Sequence, residues 1–190
     1  MEVLARPAYG YDERHRPKTN RFGLTSCDHF GLPARDPELS GKFFEQILGG
    51  EEFYRAGFSD EDRAKNKNRH IFYHVGPVMV ELVEQEDRRS YPDVTNPKSE
   101  NMNPHWAFET TPEGVLAFAA HLEREGIPFA GPRTHGEASA VSVYFRDIDG
   151  NNLEVVTWQP FPADKIPPRT KGERLAPWDK LAHNWRPKSP

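Results

Sequence analysis

The chain has 190 residues, of which 36% are hydrophobic and 12% aromatic, with a formal net charge of −4 and a mean hydropathy of −0.81. This length suits one domain or two small fused modules, and the charge shows no basic stripe of the kind that binds nucleic acid. We expect no membrane partner, because no apolar run reaches spanning length, and no disulfide framework, because Cys27 is the only cysteine. The absence of a signal-peptide pattern and of paired cysteines predicts a cytoplasmic location.

The first half of the chain predicts one helix among four strands. A strand over 23–34 precedes a helix that begins after Asp36, whose side chain can cap the first helical amides, and that ends at Gly49-Gly50. The apolar residues of this helix, Leu39, Phe43, Ile47 and Leu48, recur at helical spacing. Three further strands and a charged loop are predicted at 53–58, 71–75, 78–84 and 59–68.

The same order of elements returns after a polar linker over 85–103. His105 opens a strand in which alternate residues are apolar, and Thr111-Pro112 repeats the cap and proline that begin the first helix. The apolar stripe of this second helix is Leu116, Phe118, Ala119 and Leu122, and Gly126 ends it. Further strands are predicted near Phe129, at 141–146 and at 153–158, and the last two flank a turn over 147–151.

Two histidines and two glutamates occupy corresponding places in the two halves. His29 and His105 each lie on the opening strand of a half, while Glu81 and Glu154 each lie on its closing strand. Along the chain, 52 residues separate His29 from Glu81 and 49 residues separate His105 from Glu154. This regularity predicts an internal duplication of a βαβββ module, with module 1 over 23–84 and module 2 over 103–158.

Glu154 follows a tight turn and lies on an apolar strand, so its carboxylate needs a compensating partner. Either an ion-pair partner or a bound metal would satisfy it, and each histidine could likewise be a hydrogen-bonded core residue. Two imidazoles and one carboxylate with open coordination positions suit Fe(II), while a second carboxylate suits Ni, Zn, Co or Mn.

This arrangement resembles the vicinal oxygen chelate superfamily, which includes glyoxalase I, type I extradiol dioxygenases, methylmalonyl-CoA epimerase, fosfomycin-resistance enzymes and bleomycin-binding proteins. The resemblance covers a single domain over 23–158 and leaves out an N-terminal arm, 1–22, and a proline-rich C-terminal tail, 159–190. It implies an α+β fold in which two tandem βαβββ modules form a cupped, mixed and largely antiparallel sheet around one divalent metal. The implied metal ligands are His29, His105 and Glu154, with Glu81 at the fourth-ligand position of glyoxalase I.

The stretch from His135 to Glu154 resembles the pattern of type I extradiol dioxygenases, in which a histidine, an apolar–tyrosine pair, an acidic turn with glycine and the ligand glutamate follow in order. In this pattern Tyr144 and His135 would hydrogen-bond the substrate oxygens. Two departures stand out: Ile148 replaces a proline, and Arg133 stands where a small or apolar residue is usual.

A further departure concerns the acid–base histidine that these dioxygenases place at the start of the fourth strand. Here that position holds Val78 and Met79. His74, at the end of the preceding strand, is the nearest candidate for proton transfer, and His70 lies on the same face by period.

The leading prediction is therefore a non-haem Fe(II) oxidoreductase, an extradiol-type dioxygenase that cleaves a catechol-like substrate with O₂ in aromatic catabolism. The alternatives are a glyoxalase- or epimerase-like lyase or isomerase that uses Ni, Zn, Co or Mn, favoured by Glu81, and a metal-free drug-binding resistance protein. The expected partners are a small molecule with vicinal oxygens and further copies of the chain, as a homodimer or higher homo-oligomer. In the tail, Trp178 and Trp185 are expected to anchor to the surface of the domain or of a neighbour.

Overall fold

A computed structural model describes residues 27–85, 104–134, 140–168 and 173–188. Contacts divide these residues into two compact units. The first unit contains 27–85, 147–151 and 184–188, and the second contains the described residues of 104–146 and 152–183. The arm 1–22, the first residues of the strand predicted over 23–34, most of the linker over 85–103 and the site residue His135 lie outside the described residues.

The first unit is a four-stranded sheet with one main helix. Its elements are β1 (His29–Ala34), α1 (Pro37–Leu48), β2 (Glu51–Ala56), α2 (Asp60–Ala64), β3 (His70–Val75) and β4 (Val78–Glu84). The strand order is β1-β4-β3-β2, with β1 parallel to β4 and the other neighbours antiparallel. The parallel pairing sets Gly31 of β1 opposite Glu81 of β4.

The second unit repeats this topology. Its elements are β5 (Trp106–Glu109), α3 (Pro112–Arg124), β6 (Phe129–Thr134), β7 (Val141–Arg146) and β8 (Asn152–Thr157). The strand order is β5-β8-β7-β6, again with the first and last strands parallel and the rest antiparallel. Two mixed sheets of identical strand order confirm the predicted α+β fold of two βαβββ modules.

The two main helices begin as the sequence predicts. The Asp36 carboxylate accepts a hydrogen bond from the Glu38 amide at 3.3 Å, and the Thr111 hydroxyl accepts one from the Gly114 amide at 3.1 Å. Proline occupies the first turn of each helix, where its missing N–H costs nothing. At the other end of α1, Gly49 has a φ of 65°, the left-handed conformation that glycine adopts without strain.

The buried helical stripes differ from the predicted ones by small rotations. Phe44 of α1 and Val115 of α3 are fully buried although neither was in the predicted stripe. The predicted members that are only half-buried are Leu39, Leu48, Leu116 and Phe118. Each residue turns the helix by about 100°. The spacing of apolar residues therefore identifies the apolar side of a helix more reliably than it identifies which residues lie at the centre of that side.

Some predicted elements differ from the observed ones, including the first strand, which was predicted over 23–34 but begins at His29. The charged stretch 59–68 is not wholly loop, because α2 lies within it, capped by Ser59 and supported by an ion pair between Lys65 and Glu61 at 2.5 Å. A short helix that is polar all round has no apolar period to reveal it. The strand predicted at 53–58 is observed two residues earlier, and His105 lies just before β5, since pairing with β8 begins at Trp106.

The C-terminal tail carries two 3₁₀ turns, Ala163–Lys165 and Trp178–Lys180. Trp178 packs within the second unit and Trp185 within the first, and both side chains are buried. The prediction that these tryptophans anchor the tail is confirmed. Within the described part of the chain, no helix has the length and apolar character needed to cross a membrane.

Candidate metal centre

Tyr144 and Glu154 lie on one face of the second sheet. They are directly opposite each other on the antiparallel strands β7 and β8, so their side chains leave the sheet on the same side. The neighbouring Phe145 contacts Phe118 of α3, with ring centroids 5.1 Å apart, so Tyr144 and Glu154 occupy the face away from the helix.

His105 completes this cluster. Its Nε2 atom lies 2.7 Å from Glu154 Oε2, and its ring centroid lies 6.2 Å from that of Tyr144. The parallel pairing of β5 with β8 sets Ala107 opposite Glu154 and thereby carries the preceding His105 to the carboxylate. The Glu154 side chain is 4% exposed and that of His105 is 24% exposed, so the imidazole forms the accessible edge of the cluster.

The hydroxyl of Tyr144 is tied into the same cluster. It donates a hydrogen bond to the Glu154 carboxylate and accepts one from Ser142, the next residue along the same face. Burial, with the negative charge of Glu154 adding to it, raises the pKa of the Tyr144 hydroxyl far above its usual range. Tyr144 therefore stays a neutral hydrogen-bond donor at any physiological pH.

In the first unit, Glu81 lies between two histidines. Its Oε1 atom is 2.7 Å from His70 Nδ1, and its Oε2 atom is 3.7 Å from His29 Nε2. The other ring nitrogen of His29, Nδ1, lies 2.8 Å from the Asp28 carboxylate, to which it can donate. The sequence pointed to His29 and Glu81, but it gave no sign that Asp28 contacts this histidine.

The charge around His29 favours its protonated form. The hydrogen bond to Asp28, with the negative charge of Glu81 adding to it, raises the pKa of His29 above its usual value. The carboxylate on Nδ1 also fixes the orientation of the ring, which leaves Nε2 directed toward Glu81.

His74 contacts a different residue of the same unit. It lies four residues after His70 on β3, so the two side chains are on the same face of the sheet, as predicted. Its exposed ring stacks on that of Phe53, with ring centroids 4.1 Å apart and an interplanar angle of 20°. Its closest ring neighbour is therefore an aromatic side chain of β2 rather than a carboxylate.

The turn between β7 and β8 fixes the start of the strand that carries Glu154. Asp147 accepts hydrogen bonds from the backbone amides of Asp149 and Asn151, at 2.9 and 2.8 Å, and from the Asn151 side chain at 2.6 Å. Burial, with the nearby charge of Asp149 adding to it, raises the pKa of Asp147 to about 7. The predicted turn over 147–151 is confirmed.

Arg133, which departs from the dioxygenase pattern, has a structural explanation. Its guanidinium donates to the Glu173 carboxylate and to the backbone carbonyl groups of Arg174 and Leu175. The unusual arginine of β6 thus binds the C-terminal tail, a role that only the tertiary contacts reveal.

Taken unit by unit, Glu154 contacts His105, and Glu81 lies beside both His29 and His70. Within the described residues, no group of three or more His, Cys, Asp or Glu side chains is close enough to form a metal site by itself. The sharing of one metal by these four side chains stays a prediction, as do the roles of Tyr144, His135 and His74.

Comparison with known proteins identifies the family. Residues 26–155 match the model of the Glyoxalase/Bleomycin resistance protein/Dioxygenase superfamily. Among solved structures, the fosfomycin resistance protein FosX from Listeria monocytogenes aligns with a TM-score of 0.55 and 19% identity, over 70% of this chain and 92% of that chain. A FosX variant complexed with Mn(II) and 1S,2S-dihydroxypropylphosphonic acid aligns with a TM-score of 0.53 and 19% identity, over 70% and 91% of the two chains.

A glyoxylase/bleomycin resistance protein/dioxygenase domain from Frankia sp. aligns with a TM-score of 0.55 and 20% identity, over 70% of this chain and 92% of that domain. At such identities the likeness to solved structures shows the fold alone, whereas the family match spans well over half of the chain. The chain belongs to the Glyoxalase/Bleomycin resistance protein/Dioxygenase superfamily, as its paired histidines and glutamates predicted.

Proposed function

We propose that this protein is a metal-dependent enzyme that acts on a small substrate with two neighbouring oxygen atoms, and that its chemistry is that of an isomerase or lyase rather than a redox reaction. The observation that carries the proposal is the contact of His105 Nε2 with Glu154 Oε2 at 2.7 Å, in a cluster where the carboxylate is buried. A buried carboxylate beside an imidazole is a ligand pair ready for a divalent cation.

We propose His29 and Glu81 as the other two ligands of this centre, because the family resemblance implies them. Metal-binding histidines usually hydrogen-bond a carboxylate through the ring nitrogen that does not bind the metal. His29 has such a partner in Asp28, whose carboxylate lies at its Nδ1 atom. Glu81 is held in the same way by His70, which contacts the oxygen away from His29.

The nitrogen–oxygen distance within each pair differs by a few tenths of an ångström from the distance between two ligand atoms of one metal. Two ligand atoms each about 2.1 Å from a metal lie roughly 3–3.5 Å apart. The observed separations of 2.7 Å for His105 and Glu154 and 3.7 Å for His29 and Glu81 bracket that range. The Mn(II) bound in the FosX structure supports a divalent metal in this fold.

Glu81 is the reason to favour isomerase or lyase chemistry. Two imidazoles and two carboxylates suit Ni, Zn, Co or Mn, whereas Fe(II) oxygenases use two histidines and one carboxylate and keep positions open for O₂ and substrate. The Glu81 side chain is 16% exposed and lies beside His29, so its carboxylate is well placed for coordination or proton transfer.

The residues of the chain would divide the work as follows. His105, Glu154, His29 and Glu81 would hold the metal, whose positive charge would stabilise negative charge that develops on the two substrate oxygens. Glu81 would take a proton from the carbon next to the substrate carbonyl and return it to the product. Tyr144, neutral and donating to Glu154, would fix the direction in which that carboxylate presents its lone pairs.

Ring cleavage by an Fe(II) extradiol-type dioxygenase is the second candidate. The observation that favours it is the position of Tyr144 beside Glu154, which the dioxygenase pattern expects. In that reaction Tyr144 and His135 would hydrogen-bond a catechol-like substrate, and His74 would be the candidate for proton transfer. Glu81 would then have no role as a ligand.

Metal analysis tests the proposal. Protein purified without oxygen is expected to contain about one divalent metal per chain, with Ni, Zn, Co or Mn supporting the first candidate and iron the second. His105→Ala should abolish stoichiometric metal, while His121→Ala on α3, a matched control outside the cluster, should keep it. Full occupancy in the His105 variant would refute the proposed centre.

A further inference from the structure

The C-terminal segment 173–183 lies outside the residues that match the family, and it packs on the face of the second sheet that carries the candidate ligands. Trp178 contacts Tyr144 edge to face, with ring centroids 5.5 Å apart and an interplanar angle of 89°. Its ring centroid also lies 6.2 Å from that of His105. Leu181 and Ala130 complete the apolar cluster around Tyr144.

The segment is held on both sides of Trp178. Before it, Arg133 donates to the carboxylate of Glu173 and to two backbone carbonyl groups, including that of Leu175 at 3.3 Å. After it, His183 Nε2 lies 2.8 Å from the backbone carbonyl oxygen of Arg146, to which its N–H donates. Because these contacts come from β6 and β7, they fix the indole against the sheet.

The consequence of this packing is seen in the exposure of the cluster. Tyr144 is completely buried and Glu154 is 3% exposed, although both lie on the side of the sheet away from α3. His105 retains 24% exposure, so the open approach to the cluster runs past the imidazole rather than over the tyrosine. The indole packs against Tyr144 and closes this side of the cluster.

We infer that Trp178 is a specificity-determining residue that shields Tyr144 and Glu154. Because of this shielding, the site accepts compact ligands with two neighbouring oxygens and rejects those with an aromatic ring. The selection of oxygen ligands rests on the proposed metal function, whereas the shielding of Tyr144 rests on the packing alone. Removal of the indole creates room of aromatic size beside the candidate ligands.

Tyrosine nitration tests whether Trp178 shields Tyr144. The metal-free protein is treated with tetranitromethane, and the nitrated positions are mapped by peptide mass spectrometry. Tyr54, 55% exposed, should react in every variant, and Tyr73, which is 1% exposed and belongs to the first unit, should resist in every variant. Tyr144 should resist in the unaltered protein and react roughly tenfold faster or more in Trp178→Ala, with Trp178→Leu between them.

Trp185→Ala is the matched control. Trp185 lies in the same tail and is buried to the same degree, 8% against 7% for Trp178, but it packs on Phe43 at 5.3 Å. Its loss should leave Tyr144 protected. Equal nitration of Tyr144 in the two alanine variants, continued protection in Trp178→Ala, or reaction of Tyr73 together with Tyr144 would overturn the inference, since each would make Trp178 an ordinary packing residue.

Ligand selection is measured on Mn²⁺-loaded protein by calorimetric titration with acetohydroxamate, a compact chelator with two neighbouring oxygens, and benzohydroxamate, its aromatic counterpart. The unaltered protein should prefer acetohydroxamate. Trp178→Ala and Trp178→Leu should bind benzohydroxamate roughly tenfold more tightly than before, with little change for acetohydroxamate. An unchanged ratio of the two affinities would overturn the inferred selection.

The two measurements separate the failure of the proposals. If the unaltered protein binds no Mn²⁺, the metal function is wrong and the selection of oxygen ligands falls with it, while the nitration pattern still decides whether Trp178 shields Tyr144. If Mn²⁺ binds and the Trp178 variants alter neither the nitration of Tyr144 nor the selection of ligands, the metal function stands and the shielding role of Trp178 is refuted.

Discussion

The hydroxyl of Tyr144 donates to the carboxylate of Glu154 directly across the antiparallel pair β7–β8. Residues opposite each other in a sheet cannot separate without breaking strand pairing, so the tyrosine is a fixed partner of the carboxylate. Through His105, this cross-strand pair extends to the accessible edge of the second sheet.

Tyr144→Phe should therefore weaken metal binding without abolishing it. In the proposed centre the tyrosine orients the ligand Glu154 but does not bind the metal itself, so saturating Mn²⁺ should still bind with the original stoichiometry while the affinity falls by roughly 10- to 100-fold. Mn²⁺ titration followed by electron paramagnetic resonance measures both quantities. Tyr54→Phe, at an exposed position, should behave as the unaltered protein, and complete loss of the metal site in Tyr144→Phe would contradict the assigned role.

Glu81 and Glu154 distinguish the two candidate functions. We expect Glu81→Gln to lower Mn²⁺ affinity about as severely as Glu154→Gln, because in the proposed four-residue centre both carboxylates bind the metal. Glu84→Gln is the control on the same strand, since Glu84 is half-buried like Glu81 but binds Arg69. If only Glu154→Gln impairs binding, the three-ligand centre and the ring-cleavage reaction are favoured instead.

Asp147 should titrate near neutrality. Its folded-state pKa of about 7 lies above the unfolded value, so the folded protein holds a proton that the unfolded chain has released. The contribution of Asp147 to the free energy of unfolding should therefore decrease as pH rises from about 4 to 7. The chemical shift of its carboxyl carbon measures the titration. The free energy of unfolding of the unaltered protein minus that of Asp147→Asn should decrease over the same pH range. A carboxylate already ionised at pH 5 would contradict the assignment.

Arg133→Gln should loosen the C-terminal segment. The guanidinium makes the contacts to Glu173, Arg174 and Leu175, and loss of hydrogen bonds to a charged group costs roughly 1.5–3 kcal/mol. Cleavage by trypsin after Arg174 should therefore be faster in this variant under native conditions. Arg124→Gln, at an exposed position at the end of α3, serves as the control. Equal cleavage rates in the two variants would show that Arg133 does not hold the tail.

The sequence alone determined the duplicated βαβββ modules, the helix starts at Asp36 and Thr111, and the turn over 147–151. These features depend on interactions within a few residues, such as a side chain that caps its own helix or alternation along one strand, so they are visible in short windows. The repeat also allowed one inference about residues far apart in the chain, namely that His29 and His105 occupy corresponding positions in the two modules.

Only the tertiary structure decided which side chains meet. His105 contacts Glu154 because β5 pairs in parallel with β8, and strand order is set by the packing of the whole sheet rather than by the periodicity of either strand. The same holds for Asp28 beside His29, where the side-chain direction decides the contact. Arg133 and Trp178 are 45 positions apart and the tail has no hydrophobic period. The position of the tail on the face that carries the candidate ligands therefore follows from contacts that no local pattern records.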